Sequence, residues 1–132
     1  MANQFLKLNV VKATFDPSGD ATKRVIAAHS SGVFIPAGAI ITKTMYDVLT
    51  TFTSATDAGE IAVSVAAAND IKVAIAISNA ANPYDNIAAL VAGTPISAAT
   101  AIKLSADKEV IFTTTVEALT AGKLDFYIEY YL

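Results

Sequence analysis

The chain has 132 residues, 54% hydrophobic and 16% charged, with a net charge of −3 and no cysteine. An average soluble domain carries roughly 25% charged residues, so this one is apolar for its size, with a mean hydropathy of +0.50. The absence of cysteine excludes disulfides, thiolate nucleophiles and zinc–sulfur sites. Its basic residues are scattered, with only Lys23 and Arg24 adjacent, which argues against the basic stripe of a nucleic-acid binder.

In chain order, residues 5–15 (FLKLNVVKATF) are rich in β-branched and aromatic residues and read as a strand. The strand ends at Asp16-Pro17-Ser18-Gly19-Asp20, a turn signal. Residues 23–30 and 32–36 read as two short strands, and Pro36-Ala37-Gly38 is the next break. Met45, Leu49 and Phe52 fall at helical spacing within 39–53, but the segment is filled with Ile, Val and Thr, which suit a pleated surface, so it reads as one long strand. Ile61, Val63 and Val65, then Ile71, Val73, Ile75 and Ile77, alternate with smaller or polar residues around an Ala-Asn-Asp turn at 68–70.

Residues 82–93 are open to two readings. Asn82 suits an N-cap, Pro83 the first helical position, Asp85 the first turn and Gly93 the end of a helix. The alternative is an extended loop with an apolar patch. Beyond it, Val110, Phe112, Thr114 and Val116 alternate, as do Leu124, Phe126, Ile128, Tyr130 and Leu132, with Thr-Ala-Gly at 120–122 between them. Residues 108–132 therefore read as a hairpin.

The pattern predicts a single all-β domain over 1–132: an antiparallel β-sandwich, jelly-roll-like, of about eight strands and at most one short helix. Alanine fills 26 positions, so Phe, Ile, Leu and Val must carry most of the core packing. A domain this small withdraws only about two-thirds of its unfolded surface from water. The apolar remainder is best hidden against other protein, which predicts a homo-oligomer. No apolar run approaches the about 20 residues of a membrane span, so no membrane partner is expected. The N-terminus lacks the basic-then-apolar pattern of a secretory signal.

The chemistry-bearing residues are sparse. His29 is the one histidine and reads as a strand-end residue near a turn. Asp16 with Asp20, and Asp57 with Glu60, are too few for a calcium loop and read as turns. Asp125 and Glu129 lie beside Lys123 on the polar face of the last strand, as solvated charge, and Lys23-Arg24 as a rim pair. No nucleophile elbow, Gly-rich phosphate loop or HExxH occurs. No catalytic residue, cofactor or metal is expected, nor nucleic acid as a partner. Tyr127 and Tyr131 occupy the nominal outward face of the last strand and suit a protein interface, unless that strand is buried on both sides. Phe5 and Tyr84 are candidates of the same kind.

Residues 32–65, with Ile35-Pro36-Ala37-Gly38, and residues 104–132, with Leu119 to Leu124 (LTAGKL) and a final Glu129-Tyr130, resemble small virion structural proteins of tailed bacteriophages, including cyanophages. The resemblance covers about half the chain, carries turns and strands rather than chemistry, and fades over 66–103. It implies a β-sandwich on the virion, a capsid decoration or cement protein that forms trimers on the outer capsid surface and binds the major capsid protein. The alternative is a head- or tail-fibre module binding a host-surface glycan, for which Tyr84 beside Asp85 and Asn86 is the one aromatic–polar cluster.

Overall fold

A computed structural model describes residues 5–79, 84, 91–98 and 100–132. The elements are β1 (Leu8–Phe15), a single 3-10 turn (Ala21–Arg24), β2 (Ala28–Ile35), β3 (Ile40–Ser54), β4 (Glu60–Ser64), β5 (Lys72–Ala76), β6 (Val91–Pro95), β7 (Ile102–Lys103), β8 (Lys108–Thr115) and β9 (Leu119–Tyr131). One sheet has the order β1-β9-β3-β6, with the short β7 also paired to β3; the other has the order β2-β8-β4-β5. Every pairing is antiparallel.

The pairs nest: β1 with β9, β2 with β8, β3 with β6, β4 with β5. The chain is thus a long two-stranded ribbon that turns back at β4–β5. Its successive segments lie in alternate sheets, and β3–β9 and β4–β8 pairing joins them. That is a jelly-roll-like sandwich, the architecture expected from the alternation.

Alternation sets the faces. Along β9, Leu124, Phe126, Ile128 and Tyr130 are buried, while Lys123, Asp125, Tyr127 and Glu129 are half-buried on the other side. Along β3, Tyr46, Val48 and Phe52 are buried and Leu49 is exposed. The two-residue period therefore overrules the helical spacing of Met45, Leu49 and Phe52. Six aromatic rings close a circuit between the sheets: Phe112–Phe15 at 5.0 Å, Phe15–Phe52 at 6.0 Å, Phe52–Tyr84 at 6.0 Å, Tyr84–Tyr46 at 5.5 Å, Tyr46–Phe126 at 6.1 Å and Phe126–Phe112 at 6.2 Å. Each such pair adds about 0.5–1.5 kcal/mol beyond its buried area. The circuit supplies the bulk that alanine-rich strands lack.

Three local expectations change. Residues 108–132 do not form a hairpin, because β8 and β9 belong to different sheets. The chain crosses between them at 116–118, where Val116 takes a left-handed φ of 69°. Thr120, Ala121 and Gly122 lie inside β9, and Gly122 is there because the Phe52 ring packs against its backbone. Residues 21–24 form the 3-10 turn, and 28–35 are one strand with a register shift between Ser30 and Phe34, rather than two short strands. In 82–93, residues 91–93 belong to β6, Tyr84 is buried, and the remainder of the helix-or-loop question lies outside the described residues.

Candidate assembly surface

The outer face of the β1-β9-β3-β6 sheet can be read row by row from the pairing. Leu8, Tyr131 and Ile40 form one row; Val10, Glu129 and Lys43 the next; then Lys12, Tyr127 and Met45; then Thr14, Asp125 and Asp47. The Thr14 hydroxyl donates to Asp125 Oδ1 at 2.6 Å. The face is therefore charged and mixed over most of its length and apolar at one end. At that end Phe5 is 83% exposed and Leu6 61%, and Leu8, Val10, Tyr131 and Leu132 are also exposed. The backbone pair Lys7–Leu132 extends the β1–β9 ladder into this corner, with both hydrogen bonds at 3.0 Å. Leu132 also lies against the Pro36–Gly38 turn, its Cδ1 3.5 Å from where a Cβ on Gly38 would fall.

Of the four aromatic candidates, Phe5 and Tyr131 are both exposed at this end of the molecule. Tyr127 lies two rows along from Tyr131, half-buried between Lys12 and Met45. The last strand thus has one face in the core and one toward solvent. Tyr84 is a correction: it is 0% exposed. Its backbone bridges β3 and the segment after β5, accepting from Phe52 N–H at 3.0 Å and donating to Ile77 C=O at 3.1 Å. It is a core ring and presents nothing to a partner or to a glycan. Asp85 and Asn86 lie outside the described residues.

The polar residues singled out in the sequence serve the fold. His29 is buried against Phe15, and its Nε2 lies 2.8 Å from the Val25 carbonyl. Asp16 accepts from Gly19 N–H at 2.9 Å. Asp20 caps the 3-10 turn through Thr22 N–H and hydroxyl, bonds that hold its carboxyl below the usual value. Lys23 donates to the Ser30 carbonyl, and Arg24 to those of Pro17 and Ser18. This basic pair ties turns together. Among the described residues, no three His, Asp or Glu side chains gather as a metal site, and no helix is long and apolar enough to cross a membrane.

Sequence reasoning missed a set of carboxylates that fasten connections. Asp70 accepts from Val65, Ala66 and Ala67 N–H, each at 2.9 Å. Glu109 holds Ser30 and Gly32 across the β2 irregularity, and Asp107 holds Ala37 N–H at 2.8 Å. Glu117 accepts from the Thr56 hydroxyl and N–H, which keeps its carboxyl below its ordinary value. Asp70 acts within its own turn, whereas the partners of Glu109, Asp107 and Glu117 lie 61 to 79 residues away, where no spacing rule marks them. Inside the sandwich, the Tyr46 and Tyr84 hydroxyls are buried without a hydrogen-bond partner, and burial raises both phenol pKa values. Lys72 Nζ lies 5.1 Å from the centre of the Tyr46 ring, and desolvation lowers its pKa.

No protein-family model matches the chain, and no curated protein sequence matches it. Its fold is shared with chains of two solved phage assemblies. One belongs to the cyanophage Pam1 capsid asymmetric unit, with a TM-score of 0.68 and 17% identity over 100% of this chain and 90% of that one. The other belongs to the acidic stable capsid structure of Helicobacter pylori bacteriophage KHP30, with a TM-score of 0.62 and 16% identity over 95% of this chain and 87% of that one. The likeness runs the length of the chain and concerns the sandwich as a whole.

Proposed function

We propose that this chain is a non-enzymatic structural protein of a phage virion, of the decoration or cement type. It assembles as a homotrimer on the outer capsid surface and stabilises the major capsid shell. The observation that carries this reading is the end-to-end fold likeness to chains of two phage capsids. The exposed corner of Phe5, Leu6, Leu8, Val10, Tyr131 and Leu132 supports it, because an apolar patch at the edge of a charged face suits contact with protein. Each copy adds a modest contact, and icosahedral symmetry repeats it many times. A net charge of −3 suits a surface that does not adhere to nucleic acid.

The test is reconstitution. Capsids of the parent phage, stripped of the protein, are mixed with the purified chain and imaged by cryo-electron microscopy. Ordered density for the sandwich on the outside of the shell is the expected result. A monodisperse monomer that leaves stripped capsids bare overturns the reading.

A further inference from the structure

The two sheets end in four edge strands, and among the described residues three of them are blunted. β2 is broken by its register shift between Ser30 and Phe34. β5 has five residues. β6 also has five, ends at Pro95 and is irregular against β3. Shortness, bulges and proline are common protections against edge-to-edge pairing. β1 has none of these: it pairs with β9 over eight consecutive residues without a shift, and among the described residues no strand covers its other side.

The alternation of its backbone follows from the Lys7–Leu132 pair, which exchanges both bonds. Asn9, Val11, Ala13 and Phe15 therefore turn N–H and C=O toward β9, and Leu8, Val10, Lys12 and Thr14 turn theirs outward. The side chains of those same outward residues stand on the exposed face, Leu8 54% and Val10 47% accessible. With Leu6 and Tyr131 they leave on the order of 350 Å² of this strip in water, nearly half of the ~800 Å² that one partner contributes to a standard interface.

We propose that β1 pairs antiparallel with β1 of a second copy about a two-fold axis at Val10, so that the sheet runs on from one copy into the next. The pairing is additional to the trimer's own three-fold contacts, joining a copy in one trimer to a copy in another, and it rests on the self-assembly proposed above. A second copy is the fitting occupant because an open antiparallel edge is self-complementary under a two-fold. Outward groups must meet outward groups, which restricts the register. With Val10 opposite Val10, Leu8 faces Lys12 of the other copy, and the Leu8–Val10 strips of both copies join. Moving the axis to Lys12 sets like charges opposite each other, which is unfavourable. Moving it to Val11 pairs Leu8 with Thr14 and separates the apolar strips.

The test uses the absence of native cysteine. Val10→Cys places one thiol on the axis, where facing Cα atoms are about 5.5 Å apart, within disulfide range. Under mild oxidation it should give covalent dimer at least about tenfold faster than Lys12→Cys or Thr14→Cys, whose copies lie beyond that range. Val10→Pro removes the outward N–H at an edge position where proline is tolerated. It should weaken self-association in sedimentation equilibrium about tenfold or more while circular dichroism stays unchanged. Cross-linking no faster at 10 than at 14, or unchanged association in Val10→Pro, overturns the edge proposal. Capsid binding run in parallel separates the two readings. Cross-linking specific to position 10 without capsid binding sinks the virion role and keeps the edge; capsid binding without it does the reverse.

Discussion

Replacing Gly122 by alanine tests how the two halves of the molecule fit together. Gly122 sits inside β9 at a φ of 141°, and an added Cβ would fall 2.2 Å from Phe52 Cδ1 and 2.5 Å from its Cγ. Phe52 is fully buried and packs against Phe15 and Tyr84, so its ring has no free direction of retreat. The Ser18 hydroxyl and N–H hold the backbone on the other side, through Gly122 N–H at 2.8 Å and Gly122 C=O at 3.0 Å. Overpacking a closed core costs about 1–3 kcal/mol, and the left-handed dihedral adds about 1–2 kcal/mol for a residue with a Cβ. Gly122→Ala should therefore lose about 3–4 kcal/mol, a large share of the ~5–15 kcal/mol that holds a domain folded. Urea unfolding reads this as a lower midpoint at unchanged slope. Repeating the substitution in Phe52→Ala removes the clash and leaves the dihedral part, so the coupling should be about 2 kcal/mol. A loss under about 1 kcal/mol in the wild-type background, or equal losses in both, refutes the packing argument.

The other predictions concern buried polar groups and acid. Asp70→Ala removes three charge-assisted bonds to the β4–β5 turn and should cost about 2–4 kcal/mol by urea unfolding, with Asp70→Asn losing about half of that. Tyr84→Phe deletes a buried hydroxyl that has no partner, so its stability should stay within about 0.5 kcal/mol of wild type or rise by up to about 1 kcal/mol. Tyr84→Ala should lose about 3–5 kcal/mol. Glu117 is held below its ordinary value of 4.5 by the Thr56 bonds. Its contribution is therefore present above pH 4.5 and is lost as pH falls through the lower, folded value. Thermal melts between pH 3 and 7 should show wild type above Glu117→Gln at neutral pH, with the gap closing below pH 4.5.

Periodicity by itself determined the class of fold and most strand positions. A two-residue alternation buries one face wherever it is placed, so β9 was legible, and the β-branched content of 39–53 made β3 legible despite the helical spacing of Met45, Leu49 and Phe52. The composition likewise pointed to exposed apolar surface. What local pattern cannot specify is which strand pairs with which. Gly122 shows why: a glycine that frees a turn and a glycine that makes room for a ring look alike in sequence. Only the placement of Phe52 on the neighbouring β3 reveals the second role. Tyr84 shows the same limit for the candidate surface, since its polar neighbours in sequence suggest exposure while Phe52 and Tyr46, remote along the chain, bury it. Tertiary structure decided that β8 and β9 part into separate sheets and that both ends of the described chain meet at one corner. It also decided that β1 is the long regular edge left open among the described residues. These are outcomes of long-range pairing, whose free energy depends on residues dozens of positions apart.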